Sequence, residues 1–212
     1  GDSAKVTVTF APASAGVKSA SLSVAHNATG SPASVSLSGV GDAATTPPVS
    51  TVPDPAKQDS TKLGVWLDLN TATGNQYLAS DSPAPGAEIT VQVYGRNLTP
   101  STGYGFTLAF DPTVLTFVSE KSTIGTYIPG GLSLPAQVST AGGVSSVTFG
   151  VTLLGGSPVS GNGLLGTVVF KVSDKFASGY SEIKVSKLTL GTATATIQTS
   201  NAILKALQNT PP

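Results

Sequence analysis

The sequence predicts an all-β protein, and three observations carry that prediction. Apolar residues recur at every second position, turn formers punctuate the runs (24 Gly and 15 Pro in 212 residues), and no window keeps a helical period for three turns. A period of two sends successive side chains to opposite faces of a pleated strand, so each run marks a strand with one buried face.

The first runs are Val6, Val8, Phe10, then Ala20, Leu22, Val24, then Val35, Leu37, each separated by Gly, Pro or Asn; they predict three short strands within residues 1–41. Residues 42–61, DAATTPPVSTVPDPAKQDST, lose the apolar period and carry four prolines that lack a backbone donor, which predicts an extended, semi-rigid Pro/Thr-rich linker. Alternation resumes at Val65, Leu67, Leu69 and continues through Ile89, Val91, Val93, then Tyr104, Phe106, Leu108, Phe110, then Leu115, Phe117. Later runs are Val147, Phe149, Val151, Leu153, then Val168, Phe170, Val172, then Ile183, Val185, and a last run near Ile197 to Leu204. Eight or more strands in residues 62–207 are accommodated by two stacked antiparallel sheets. Ala202 to Leu207 could form a brief helical turn, but Asn209 and the two closing prolines argue that order ends there, and residues 208–212 are read as a tail.

Charge excludes whole classes of partner. Eleven basic residues balance eleven acidic ones, and no Lys/Arg cluster supplies a local field for nucleic acid or an anionic membrane. The absence of Cys and Met excludes disulfides, thiolate metal sites and cysteine nucleophiles, and leaves little for oxidants to damage. With only 10% charged residues and much Ser, Thr, Gly and Ala, the composition points to a secreted or cell-surface protein. No run of about 18 apolar residues occurs, so no helical membrane span is expected. Gly1 opens without a signal-like region, so any export signal has been removed or lies outside this sequence.

No constellation for catalysis emerges, and neither an enzyme nor a cofactor is expected. The single histidine, His26, lies in HNATG between two strands and reads as a turn residue. Asp68, Asp81, Glu88, Asp111, Glu120, Asp174 and Glu182 stand singly, whereas glycosidase chemistry needs two facing carboxyl groups. Asp111 precedes Pro112 and reads as a turn initiator whose carboxylate accepts nearby backbone donors. The segment Asp68 to Asp81 is rich in oxygen ligands but lacks the dense alternating spacing of a calcium loop, and reads as a hairpin. Asn27-Ala-Thr29 and Asn97-Leu-Thr99 match glycosylation acceptors and mark surface loops. Trp66 is out of phase with Val65 and Leu67 and so faces away from them, either as a stacking platform for sugar or as an apolar lid on the sandwich rim.

Two stretches resemble known families. YGFTLAFDPTVLTFVS (Tyr104 to Ser119), an alternating strand running into Asp-Pro and an apolar strand, resembles the signature of cohesin domains. GGVSSVTFGVTLLGGSPVSGNGLLGTVVFKV (Gly142 to Val172) is similar to the later strand pair of that family, in the same order and spacing. The resemblance covers most of residues 62–207 and implies a nine-stranded, jelly-roll-like β-sandwich. Residues 4–41 look like the C-terminal half of immunoglobulin-like domains of the abnormal-spindle and Hydin type, whose first half would precede Gly1. A partial immunoglobulin-like unit of three strands is near the lower limit for independent folding. Its open face is expected to be covered by the sandwich, by the missing half of a longer protein, or by a neighbouring copy.

The cohesin resemblance also implies a partner face. Cohesins bind dockerins through one flat sheet face, and in the type I branch polar side chains on the strand leading to Asp-Pro make central contacts; those positions here are Gly103 and Gly105. With Phe106, Leu108 and Phe110 facing the core, Gly105, Thr107 and Ala109 face outward, giving a flat, small, uncharged surface over Gly103 to Ala109. The expected function is therefore a non-catalytic interaction or assembly module of a scaffold, adhesion or filament system, binding a dockerin-like module or copies of itself. The alternative is a carbohydrate-binding module in which Trp66, Tyr77, Tyr94 and Tyr104 form a stacking strip for polysaccharide.

Overall fold

The computed structural model describes residues 7–9, 16–41, 52–72 and 77–207. They belong to two compact units divided after Thr51.

In the first unit β1 (Gly16–Val24) and β2 (Ala33–Gly41) form an antiparallel hairpin. Ala20 pairs with Leu37, Leu22 with Val35 and Val24 with Ala33, so six apolar side chains share one face. Ser19, Ser21 and Ser23 pair with Ser38, Ser36 and Ser34 on the other. The turn is held by His26, whose backbone N–H donates to Ser31 Oγ at 2.8 Å and whose Nδ1 accepts from the Ala28 N–H at 3.2 Å. Of the expected first strand, Val6 and Phe10 lie outside the described residues, and residues 7–9 have no regular structure.

The second unit is a two-sheet sandwich. One sheet has the order β3 (Gly64–Asp68), β5 (Glu88–Ser101), β10 (Val159–Val172), β7 (Leu115–Ile124). The other has the order β4 (Ser80–Asp81), β13 (Asn201–Lys205), β11 (Tyr180–Leu190), β6 (Gly103–Phe110), β9 (Val144–Thr152), β8 (Leu132–Ala141), with β12 (Ala193–Thr194) beside β11. All pairings are antiparallel except that of β4 with β13. Apart from the two-residue β4 and β12, nine strands build the sandwich, the number the cohesin resemblance implies.

The alternation read from the sequence becomes the core. Phe106, Leu108 and Phe110 of β6 and Val147, Phe149 and Val151 of β9 are buried against Val91 and Val93 of β5 and Val168 and Phe170 of β10. Phe110 meets Phe170 across the sheets at a ring separation of 4.9 Å, and Phe106 stacks on Phe149 at 5.2 Å. Each such side chain contributes about 1.5–3 kcal/mol relative to exposure. Gly166 is required by this packing, since a Cβ there would lie 2.8 Å from Phe106 Cζ.

Three expectations change. Residues 42–51 of the expected linker lie outside the described residues, but its second half is a strap bound to the sandwich. Ala56 N–H donates to Asn201 Oδ1 at 2.7 Å, Asp59 N–H donates to Gln198 Oε1 at 2.7 Å, and Gln198 Nε2 donates back to Asp59 O at 3.0 Å. The last expected run, near Ile197 to Leu204, ends in strand β13, and its register with β11, which buries Ala202, Ile203 and Leu204, takes the place of the helical turn that Ala202 to Leu207 could form. Finally, β8 is a strand beyond those expected: Leu132, Leu134, Ala136 and Val138 alternate, but Pro135 interrupts the run and reads as a breaker. It lies at the sheet edge, where Pro135 sits at a break in register between Leu134 and Gln137 and spoils the edge for further pairing.

Candidate partner-binding face

The outer surface of the sheet β11-β6-β9-β8 follows from register alone. β6 buries alternate residues and turns Gly105, Thr107 and Ala109 outward. Their partners on β9 are Gly150, Thr148 and Ser146, and opposite those on β8 stand Leu134, Gln137 and Ser139. On the other side β11 sets Thr189, Lys187 and Lys184 against the same three β6 residues. The result is three cross-strand rows: one of glycines flanked by Leu134 and Thr189, one centred on two threonines, and one of Ala and Ser.

These small residues tie to one another. Thr107 and Thr148 hydroxyls share a hydrogen bond at 2.9 Å, as do Ser139 and Ser146, and Thr189 Oγ1 donates to Gly105 O at 3.2 Å. Side chains bound to neighbours of their own sheet leave a level surface whose charges, Lys184, Lys187 and Glu182, stand on the β11 side. At its glycine end a groove of ≈ 410 Å³ opens beside Leu134, Gly150 and Thr189. Gly105 keeps this end open: a Cβ would lie 2.8 Å from Thr189 Oγ1 and 3.2 Å from Phe149 O. Gly103, expected on the face, is buried at the start of β6, where its carbonyl accepts from Ser101 Oγ and the Gly191 N–H and a Cβ would meet Val151 O at 2.8 Å. The contributions of β9 and β8 are new; for β9 the same parity argument applied to Val147, Phe149 and Val151 would have supplied Thr148 and Gly150.

The aromatic candidates do not form one strip. Trp66 lies on the outer face of the other sheet, paired with Tyr94. The Arg96 guanidinium stacks 4.2 Å from the Trp66 ring, and Tyr77 meets the same indole edge-to-face at 3.7 Å. Tyr77 in turn contacts Tyr94 at 6.4 Å. Burial first, and then the negative charge of Asp68, pushes the Tyr94 phenol up. Tyr104 is not a stacking residue: it is 3% exposed in the core, and its hydroxyl donates to Leu165 O at 2.7 Å, so burial pushes its phenol strongly up. Its alternation with Phe106 and Leu108 forces this inward position.

The remaining polar motifs make structural hydrogen bonds, with Asp68 Oδ2 alone among their oxygens buried without a partner. Asp111 Oδ1 accepts from Thr113 N–H at 2.8 Å and Thr113 Oγ1 at 2.7 Å, closing the turn into β7. Asp68 is fully buried and its Oδ1 accepts from the Asn70 and Leu78 N–H groups, which ties both ends of the β3–β4 connection together. Residues 73–76 of that connection lie outside the described residues. Asn97 donates through Nδ2 to Ser60 O and Lys62 O, fastening the strap.

A family model described as Cohesin domain matches residues 77–206. The chain belongs to the cohesin family. Cohesin domains are non-catalytic protein-interaction modules that typically bind dockerins in scaffolds. Among solved structures this cohesin is similar to a non-cellulosomal cohesin from the archaeon Archaeoglobus fulgidus, with 16% identity over 70% of this chain and 94% of the other and a TM-score of 0.48. It is also similar to the OlpA cohesin of Clostridium thermocellum, solved in complex with a dockerin, with 14% identity over 68% and 99% and a TM-score of 0.48. A third is the cohesin module of a family 33 glycoside hydrolase from Clostridium perfringens, with 9% identity over 69% and 98% and a TM-score of 0.49. No curated protein matches the chain. No helix is long and apolar enough to cross a membrane among the described residues.

Proposed function

We infer that this cohesin is an exported or cell-surface assembly module that docks another protein on the outer face of β11-β6-β9-β8. The observation that carries the reading is the level, small-residue surface of Gly105, Thr107, Ala109, Ser146, Thr148 and Gly150 on a cohesin sheet. Such a surface lets a partner's backbone or helix approach closely, and side chains already hydrogen-bonded within the sheet need little desolvation. Glycine at position 105 favours a partner contributing apolar and small groups there, with acidic groups suited to Lys184 and Lys187 at the margin. The partner is a dockerin-like module or another copy of this chain. The apolar hairpin face of β1 and β2 supports the second form of assembly, in which a β element of a neighbouring copy covers it.

The test is calorimetric titration with a panel of dockerin modules, alongside light scattering for self-association. Thr148→Arg places a long charged side chain in the middle of the face without touching the core. Binding or self-association that is lost in Thr148→Arg while the melting temperature holds supports the reading; a monomer that binds no dockerin, or a partner held equally by Thr148→Arg, contradicts it.

A further inference from the structure

We propose that the pocket between the strap and the exposed edge of β3 binds a single sugar ring, at a site separate from the partner face. The pocket has a volume of ≈ 360 Å³, and its lining includes Gln58 and Lys57 of the strap, Trp66, Tyr77 and Ser200. That volume is an order of magnitude above the ~30 Å³ one water occupies in the liquid, and stands at the small end of ligand pockets. It suits one ring rather than a chain.

Three polar atoms buried around it have no partner: Trp66 Nε1, Gln58 Oε1 and Ser200 Oγ. Seven buried side-chain polar atoms among the described residues lack a partner, and three of them belong to residues that line this one pocket, which points to a ligand that supplies their hydrogen bonds. Their orientation is fixed by bonds elsewhere. Gln58 Nε2 donates to Val65 O at 2.9 Å and Thr199 O at 3.3 Å, which leaves the amide oxygen as the unused end. Ser200 is 1% exposed, and its carbonyl is taken by the Val185 N–H at 2.9 Å, leaving the hydroxyl as its unpaired group. Trp66 Nε1 and Gln58 Oε1 converge over Gly64, where a Cβ would lie 3.6 Å and 2.9 Å from them.

The set comprises a pure donor, a pure acceptor and a hydroxyl that does both, and none is ionised. Adjacent hydroxyl groups satisfy all three because each both donates and accepts, whereas a carboxylate leaves Gln58 unpaired and an ammonium leaves Trp66 unpaired. Lys57 is the one charged lining side chain, so cations are disfavoured further. Trp66 and Tyr77, packed edge-to-face on one another, add apolar ring edges to the lining.

Trp66 is the chain's single tryptophan, so its emission reads this pocket directly. The full chain is titrated with methyl glycosides of glucose, galactose, mannose and N-acetylglucosamine, with cyclohexanol as the apolar ring control. At least one glycoside is expected to give a saturable shift at millimolar concentration that cyclohexanol does not. Ser200→Ala, which removes an unpaired hydroxyl, is expected to weaken that binding by about tenfold with an unchanged or higher melting temperature. Gly64→Ala, which puts a methyl group between the Gln58 and Trp66 atoms, is expected to abolish it. No shift with any glycoside, equal binding of cyclohexanol, or wild-type affinity in both folded variants would each overturn the proposal.

Discussion

The hairpin β1–β2 and the sandwich are both β-structure with alternating apolar residues, yet they differ in what alternation achieves. In the hairpin not one of the side chains from Gly16 to Val40 is buried, and Leu22 and Leu37 reach only half-burial. In the sandwich the same pattern on β6, β9, β5 and β10 removes Phe106, Leu108, Val147, Val91, Val168 and Phe170 from water completely. A strand's apolar face stabilises only when a second layer covers it, and among the described residues only the sandwich has both layers. Ladder hydrogen bonds alone do not compensate for ordering the chain.

That contrast can be broken at several points. The largest effect is expected from Phe106→Ala, which opens a cavity beside Phe149 and Gly166 and should cost about 3–5 kcal/mol in urea unfolding. Leu22→Ala in the hairpin, for all its similar place in an alternating run, should change the same transition by no more than about 0.5 kcal/mol. Equal losses would show that the hairpin shares the sandwich's core.

Tyr104→Phe comes next. It removes one of two donors to Leu165 O, which keeps the Gly125 N–H, and should cost about 0.5–1.5 kcal/mol at neutral pH. The wild-type protein should also lose stability as pH rises above about 10, because the unfolded chain then ionises a phenol that the folded state keeps neutral. Below that pH this contribution is complete. Alkaline melts of the Phe variant should therefore show a shallower decline, and an unchanged decline would assign it to other groups.

The smallest effect is expected at the surface. Lys121 Nζ lies 2.7 Å from Glu88 Oε2 across β10, but both side chains are about half exposed. Lys121→Ala should lower the melting temperature slightly at low salt and not at high salt, as screening predicts. A loss that persists at high salt would mean that the lysine stem, not its charge, covers Val169.

Legibility in the sequence followed burial. Strands buried on one face, such as β6 and β9, announce themselves by period two, and their outward residues Gly105, Thr107 and Ala109 follow from parity. β8 carries a period of two in Leu132, Leu134, Ala136 and Val138, but Pro135 in its middle reads as a breaker and hides it. The strap was misread for a related reason: its prolines do signal extended chain, but whether extended chain is free or docked depends on Asn201 and Gln198, more than 130 residues away. β13 was missed at its end because Ala-Ile-Leu is apolar at every position and carries no period. The pocket beside Trp66 was invisible, since it is defined by three orphaned atoms from Gln58, Trp66 and Ser200 that only the fold brings together.

Hydrogen exchange followed by mass spectrometry on the full chain, at a concentration where light scattering shows a monomer, tests the central contrast most directly. Peptides from β5, β6, β9 and β10 should exchange only through global unfolding, while residues 16–41 should exchange faster by orders of magnitude and slow down when a partner or a second copy covers them. Protection of residues 16–41 equal to that of β6 in the monomer would contradict the account, because it would mean the hairpin already has the second layer it is argued to lack.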